Sequence, residues 1–80
     1  HSLPIFVKLK DRPVILLGNG DAAQAKRILL ERAGALIVGE QQDAALAIVA
    51  IDDETEALDA IARLRGRGVL INATDRPDQC

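Results

Sequence analysis

The stretch Pro13-Val14-Ile15-Leu16-Leu17-Gly18-Asn19-Gly20-Asp21 decides the fold of this 80-residue chain. Its aliphatic half has no polar alternation, which is typical of a strand covered on both faces, as parallel strands are. The strand ends in a glycine turn. Asp21, with Gln24 three positions later, then predicts a capped helix that continues to Gly34. Strand, glycine turn and helix in this order indicate an α/β fold.

The pattern recurs farther along the chain. We predict strands at residues 35–38, 44–51 and 69–71, and a second helix from the Asp53 and Glu56 cap signature to Gly66. Two right-handed strand-helix-strand units give a parallel sheet in the order 2-1-3-4. The prediction is therefore one Rossmann-like domain over residues 1–80, a parallel sheet with flanking helices, abbreviated to about four strands and two helices.

The link at residues 41–43 is the unusual feature of this fold. A helix normally joins two parallel neighbouring strands, and three residues are too few to form one. The second and third strands therefore cannot be parallel neighbours. We expect the link to cross to the far side of the first strand, or else the sheet loses its regularity.

Composition excludes several classes of function. Apolar residues make up 49% of the chain and charged residues 28%, which favours a globular domain over disorder. The net charge is −2, its charges are interspersed and Phe6 is the only aromatic residue, so nucleic-acid binding is not expected. The longest apolar run, residues 44–51, is too short to span a membrane. We expect a cytoplasmic protein.

The ends and the cysteine count carry less information. Cys80 is the only cysteine and therefore forms neither an internal disulfide nor a thiolate metal cluster. No histidine metal pair is present, and we assign no metal ligand. The charged, turn-rich segment 75–80 has no obvious terminating signal, which indicates that the chain is a truncated piece of a longer protein.

The motif Gly18-x-Gly20-x-x-Ala23 follows a strand and opens a helix, the context that predicts a dinucleotide site. The first glycine permits the tight turn, and the second lets backbone N–H groups approach a pyrophosphate at the positive end of the helix. Asp21 is most simply explained as the helix cap, a role that is compatible with phosphate binding nearby. The alternative is a turn that only connects a strand to a helix.

Glu40 stands at the end of the second predicted strand, 20 positions after Gly20. An acid there accepts hydrogen bonds from an adenosine ribose and repels a 2′-phosphate, so NAD is favoured over NADP. A solvated loop carboxylate explains the residue equally well. Ligands of such sheets bind where the strand order reverses, and residues 18–21, 51–53 and 72–75 should converge there.

Two acidic positions have competing explanations. The run Asp52-Asp53-Glu54 suggests a metal site, but acids at a helix start usually serve capping and the helix dipole, and we favour that role. Asp75 follows a buried strand at the edge of the expected crevice, where a carboxylate can accept a proton or bind a cation. It is also explained as a turn residue. We interpret the arginines at the end of the second helix, Arg63, Arg65 and Arg67, as a solvated face.

Several motifs occur together in one order: Leu3-Pro4-Ile5-Phe6, Gly18-x-Gly20-Asp21-x-Ala23, Lys26 with Leu29-Leu30, Ala33-Gly34-Ala35, and Asn72-x-x-Asp75-x-Pro77-x-x-Cys80. In this combination the chain resembles the dehydrogenase and ferrochelatase domain of the siroheme synthase family. The resemblance implies NAD-dependent oxidation of precorrin-2 to sirohydrochlorin. In bifunctional members it also implies insertion of Fe²⁺ as a substrate. The full-length form is expected to be a homodimer.

The resemblance also implies residue roles. Asp75 matches the family aspartate that is implicated in both activities. The positions assigned to the cofactor are Gly18, Asn19, Gly20, Asp21, Ala22, Glu40, Ala50 and Asp52. Family members normally carry a further strand and helix between the positions of Glu40 and Ala44, and they continue past Cys80. A non-catalytic module that senses NAD or another adenine nucleotide therefore remains an alternative, as does a purely structural fragment.

Overall fold

The computed structural model describes residues 9–73. Its elements follow the order β1 (Pro13–Leu17), α1 (Asp21–Arg32), β2 (Leu36–Val38), β3 (Leu46–Val49), α2 (Glu54–Gly66) and β4 (Leu70–Ala73). The abbreviated α/β architecture predicted from the sequence is confirmed. Neither helix in residues 9–73 has the length and apolarity needed to cross a membrane.

All four strands form one parallel sheet in the order β2-β1-β3-β4, as predicted. β1 lies at the centre, and the chain adds strands first on one side of it and then on the other. Leu17 pairs with Val49, and Val49 pairs with Ala73. The carboxyl ends of β1, β3 and β4 therefore lie side by side at one edge of the sheet, next to the start of both helices.

The apolar character of β1 and β3 follows from burial on both faces of the sheet. Val14 and Leu16 pack with Ile48 and with Leu30 of α1. The intervening Ile15 packs on the opposite face, in the cluster that α2 supplies with Ala57, Ala60, Ile61 and Leu64. Because each strand must be apolar on both sides, polar alternation is missing from its sequence.

The two faces are covered unequally. α2 buries four residues against the sheet, whereas α1 buries only Ala23 and Leu30 and leaves Ile28 and Leu29 each 44% exposed. Exposure alternates along β4 and shows the same difference between the two faces, because Ile71 is buried and Leu70 is 67% exposed. Within the described residues, most of the core therefore lies between the sheet and α2.

Residues 39–45, called the link below, join β2 to β3 without a helix. Val38 pairs with Ile15 and Leu46 pairs with Val14, so the link carries the chain from one side of β1 to the other. This confirms the expected crossing. The link also takes up Ala44 and Ala45, whose carbonyl accepts a hydrogen bond of 3.0 Å from the amide of Leu70.

Most element boundaries shift by one or two residues from the prediction. β3 spans Leu46–Val49 rather than residues 44–51, because the apolar run also supplies the end of the link and the start of the next loop. β2 begins one residue later than predicted, and β4 covers Leu70–Ala73 instead of residues 69–71. An apolar run records burial, which extends beyond the residues that are paired in the sheet.

The two helices begin differently. Asp53 caps α2 as predicted, accepting a hydrogen bond of 2.8 Å from the amide of Glu56. The cap predicted at Asp21 is wrong. Gly20 takes the capping position with an extended backbone and offers no side chain, and Asp21 is the first residue inside α1. The glycine lets the chain enter the helix one residue earlier than an aspartate cap would.

Candidate functional site

The turn between β1 and α1 is held against the end of β3. Gly18 has φ +131°, and a Cβ at this position would lie 2.7 Å from the carbonyl carbon of Ala50 and 3.1 Å from the Cβ of Ala23. The amide of Ala50 also donates a hydrogen bond of 2.8 Å to the carbonyl of Leu17. Gly18 is therefore required by the close approach of two backbone segments. Ala50 is buried behind the turn, and its backbone supports it.

Gly20 is glycine for a different reason. Its backbone has φ −97°, which any residue can adopt, and a Cβ there would lie 2.5 Å from a carboxylate oxygen of Asp52. The carboxylate belongs to an exposed side chain at the surface end of β3. The structure thus brings Asp52 directly beside the second glycine of the turn, although the two residues are far apart in sequence.

The start of α1 is suited to an anion. The first amides of a helix have no partner inside the helix, and the helix dipole places partial positive charge there. Gly20 takes the N-cap position of α1 and has no side chain that could accept a hydrogen bond from these amides. Asp21 is exposed and Ala22 is half-buried in the first turn. An arriving phosphate would find these amides, but it would also have to displace or avoid the negative charge of Asp52.

Glu40 forms a two-pronged ion pair with Arg63 of α2. Arg63 Nε donates to Oε2 at 2.7 Å, and Arg63 Nη2 donates to Oε1 at 3.0 Å. The pKa of the Glu40 carboxyl is lowered from its ordinary value, chiefly by the hydrogen bond from Arg63. Burial opposes this lowering, and the charges of Arg63 and Arg67 add to it. Glu40 is therefore a fully ionised carboxylate near neutral pH, held in a fixed direction.

Arg67 holds the link itself. Its guanidinium donates to the carbonyl of Glu40 through Nη1 and to the carbonyl of Gln42, at 2.8 Å, through Nη2. Arg63 and Arg67 are exposed, as the interpretation of a solvated face expects, but they also bind the link, which that interpretation did not include. The link turns back along α2, which places its carbonyls and the Glu40 carboxylate within reach of two side chains one helical turn apart.

Some of these residues line a cleft of ≈ 440 Å³ at the carboxyl edge of the sheet, whereas Gly20, Asp21, Ala22, Ala50 and Asp52 are not among its lining residues. Its lining combines the glycine turn, the end of β3, the link and α2, and consists of Leu17, Gly18, Asn19, Glu40, Ile51, Glu56 and Arg63. The volume lies within the range of small-molecule sites. The position also matches the rule that ligands of parallel sheets bind beyond the strand ends, where the strand order reverses.

Sequence reasoning assigned some of these positions and missed others. It had Gly18, Asn19 and Glu40 in one site, and they line one cleft. It missed Arg63 and Glu56, which reach the cleft from α2. The signal that could have pointed to Arg63 is its spacing of four residues from Arg67, combined with a link too short to leave Glu40 far from the helix.

A larger cavity of ≈ 660 Å³ lies at the opposite edge of the sheet, among Leu9, Arg12, Pro13, Asp43, Ala44, Ala45, Leu46, Arg67 and Val69. It surrounds the beginnings of the strands, away from the glycine turn and the start of α1. We therefore place the candidate site in the smaller cleft, where the glycine turn before α1 and the ion-paired carboxylate of Glu40 occur together.

Two remaining predictions concern the end of β4 and metals. The proposed catalytic residue, Asp75, follows β4 by two positions and lies outside the described residues. Among residues 9–73, no group of three or more histidine, cysteine, aspartate or glutamate side chains is arranged to hold a metal ion. Asp52, Asp53 and Glu54 therefore do not form such a group, and Asp53 acts as the cap of α2.

The sequence of the chain is similar to those of siroheme synthases. No family model matches the chain. It is 38% identical over 80 residues to the siroheme synthase of Methylobacillus flagellatus, a match that covers 94% of this chain. It is 39% identical over 79 residues to siroheme synthase 3 of Aeromonas hydrophila, and 60% identical over 35 residues to the siroheme synthase of Photorhabdus laumondii. The chain spans only 17% of the length of the first two relatives.

Proposed function

Because this chain belongs to the siroheme synthase N-terminal domain family, we propose that it is the NAD-binding part of an enzyme that oxidises precorrin-2 to sirohydrochlorin. The observation that carries the proposal is the cleft lined by Gly18 and Asn19 of the turn that leads into the uncapped α1, and by the ion-paired carboxylate of Glu40. This combination fits the two ends of an adenosine diphosphate, one anionic and one rich in hydroxyl groups.

The residues present fit NAD in their chemistry. The turn of Gly18, Asn19 and Gly20, with the first amides of α1 at Asp21 and Ala22, would hold the diphosphate. Glu40 would accept hydrogen bonds from the adenine ribose, since each of its oxygens keeps an acceptor site beyond the one that Arg63 uses. When bound, NAD supplies the capacity to accept a hydride.

Asp52 and Ala50 form the opposite wall of the turn. Ala50 is buried, and its backbone lies against Gly18, which fixes the position of the turn relative to the end of β3. The carboxylate of Asp52 lies beside Gly20 on an exposed side chain. Asp52 would therefore be an acidic neighbour of the diphosphate, while Ala50 is part of the support.

We assign the proton chemistry to Asp75. Oxidation of the reduced macrocycle removes a hydride from one carbon and a proton from a neighbouring atom, and a carboxylate at this position would take the proton. In a bifunctional enzyme, Fe²⁺ is a second substrate and the same carboxylate would accept protons from the pyrrole nitrogens. We propose that these steps, and a homodimer that completes the tetrapyrrole site, need a protein of the relatives' length, of which this chain spans 17%.

A second candidate is a module that senses NAD or a related adenine nucleotide without catalysis. It is favoured by one observation: all of the proposed nucleotide contacts lie within residues 9–73, and none of them requires Asp75 or a tetrapyrrole. The two candidates share the nucleotide site. Only turnover of precorrin-2 by the longer protein separates them.

Calorimetric titration of the purified 80-residue chain with NAD tests the shared site. We expect saturable binding that Gly20→Ala weakens by about tenfold or more, since a methyl group would stand where the diphosphate approaches the backbone. Gly66→Ala is the matched control, because a Cβ there meets nothing within 4 Å and the position is remote from the turn. Absence of NAD binding by a folded chain, or equal binding by Gly20→Ala, would reject the proposal.

A further inference from the structure

Arg63 and Glu40 occupy the same part of the cleft and have opposite preferences for the adenine ribose. In dinucleotide sites an acid at the end of the second strand binds the ribose hydroxyls and repels a 2′-phosphate, whereas an arginine nearby accommodates the phosphate. This chain supplies both. Glu40 follows β2, and Arg63 reaches it from α2 with two nitrogens bonded to the two carboxylate oxygens.

The charge of Glu40 is therefore not free to exclude an anion. Arg63 neutralises it directly, and Arg67 places a second positive charge beside the backbone of Glu40. Two acids on the Arg63 side of α2, Glu56 and Asp59, also act on Arg63 through their charges. Glu56 lines the cleft as well, but it lies two helical turns from Arg63, near the start of α2.

The ion pair is also easily opened. The side chain of Arg63 is 55% exposed and that of Glu40 is 22% exposed, and ion pairs in such positions contribute little to stability. A guanidinium binds a phosphate with the same two-pronged geometry with which it binds a carboxylate. Since a guanidinium has five N–H donors, Arg63 can share them between Glu40 and a 2′-phosphate with little loss to the fold.

We propose that Arg63 is a specificity-determining residue that lets this cleft accept a 2′-phosphorylated dinucleotide, so that NADP and NAD bind with similar affinity. The inference rests on the proposed nucleotide site and goes beyond it. It also departs from the expectation, drawn from Glu40 in the sequence, that the site selects NAD. Glu40 lies where the sequence predicted it, but the ion pair with Arg63 neutralises the charge that would otherwise repel a 2′-phosphate.

The test is calorimetric titration of the 80-residue chain and its variants with NAD and with NADP. For the parent chain we expect the two dissociation constants to agree within about tenfold. Arg63→Gln should weaken NADP binding about 10- to 100-fold, as expected for loss of a hydrogen bond between charged groups, and should change NAD binding much less. Glu40→Gln should shift the ratio in the opposite direction, toward NADP.

Two matched variants separate this role from a structural one. Arg67→Gln removes bonds that hold the link without removing a side chain that lines the cleft, and Arg32→Gln removes a charge at the far end of α1. Arg32→Gln should leave the ratio of the two affinities unchanged. Arg67→Gln should shift the ratio less than Arg63→Gln does, because Arg67 adds charge beside Glu40 but does not line the cleft.

The inference is overturned if the parent prefers NAD by more than about 100-fold. It is also overturned if Arg63→Gln weakens both ligands equally, or if Arg67→Gln shifts the ratio as much as Arg63→Gln does. Binding of neither ligand by the folded parent rejects the proposed function and this inference together. A strong preference for NAD rejects the inference alone.

Discussion

Alanine at Gly18 and alanine at Gly20 add the same methyl group to the same turn, and the structure predicts that they act on different properties. At Gly18 the new Cβ would overlap the backbone of Ala50, which cannot move without displacing β3, and φ +131° is unfavourable for alanine. At Gly20 the backbone is relaxed, and the only close neighbour is the exposed carboxylate of Asp52.

The magnitude follows from these two contacts. Backbone strain at Gly18 costs about 1–3 kcal/mol, and overpacking against fixed neighbours costs about 1–3 kcal/mol more. A loss of about 3 kcal/mol in the free energy of unfolding lowers the Tm of a domain of this size by about 12–24 °C. The total stability of such a domain is only about 4–12 kcal/mol. Gly18→Ala therefore removes a large share of it.

Gly20→Ala should change the free energy of unfolding by less than about 1 kcal/mol, because the side chain of Asp52 can rotate away and alanine restricts the unfolded chain more than glycine does. Its effect falls on nucleotide binding instead. Thermal unfolding followed by far-ultraviolet circular dichroism is the suitable assay, since the chain contains no tryptophan or tyrosine to report by fluorescence. The control is Gly66→Ala.

Two results would refute this reasoning. If Gly18→Ala melts at the temperature of the parent chain, the turn is not pressed against Ala50 as the structure shows. If Gly20→Ala loses as much stability as Gly18→Ala, the carboxylate of Asp52 is held rigidly and cannot move aside for a methyl group at Gly20. Either outcome removes the geometric basis on which the candidate site is built.

The remaining predictions concern single carboxylates. Asp53→Ala should lower the free energy of unfolding by about 1 kcal/mol through loss of the α2 cap. Asp21→Ala should lower the free energy of unfolding less, because Asp21 interacts only with the dipole of α1, and this loss should shrink further at high salt. Equal losses in thermal unfolding would contradict the assignment of the caps. The folded-state pKa of Glu40 lies below its ordinary value of 4.5, so its pair with Arg63 stabilises the fold above that value and is lost as the pH falls through the lowered pKa. The Tm difference between the parent and Arg63→Gln should be small, because the pair is exposed to solvent. It should disappear in acid, and a difference that persists there would have another origin. For the proposed precorrin-2 dehydrogenase, we expect Asp75→Ala to slow turnover by about 10²- to 10⁴-fold and to leave NAD affinity nearly unchanged. Unaltered turnover would remove Asp75 from the proposed mechanism.

Local signals predicted the elements well where each signal had one cause. The unbroken aliphatic run at β1 indicated burial on both faces, and Asp53 with Glu56 indicated the start of α2. The same kind of signal failed at Asp21, because a preceding glycine could take the capping position first. The run at residues 44–51 overstated β3, because burial continues into the link and the following loop.

The candidate site was only half visible in the sequence. The positions of Gly18, Asn19 and Glu40 follow from motif spacing, and they line one cleft. Arg63 and Arg67 could not be assigned in the same way, because a charged residue near the end of a helix is ordinarily solvated. What engages them is the path of the link, and that path depends on which side of β1 the chain must reach.

The order of apolar runs and turns in the sequence predicted a parallel sheet with the strand order β2-β1-β3-β4, because a connection too short to form a helix prevents β2 and β3 from being parallel neighbours. Three contacts were decided by the tertiary structure alone. The backbone of Ala50 leaves no room for a side chain at Gly18, Asp52 lies beside Gly20, and Arg63 binds Glu40. Periodicity and spacing act within one segment, whereas these contacts join segments that meet only after the link has crossed the sheet.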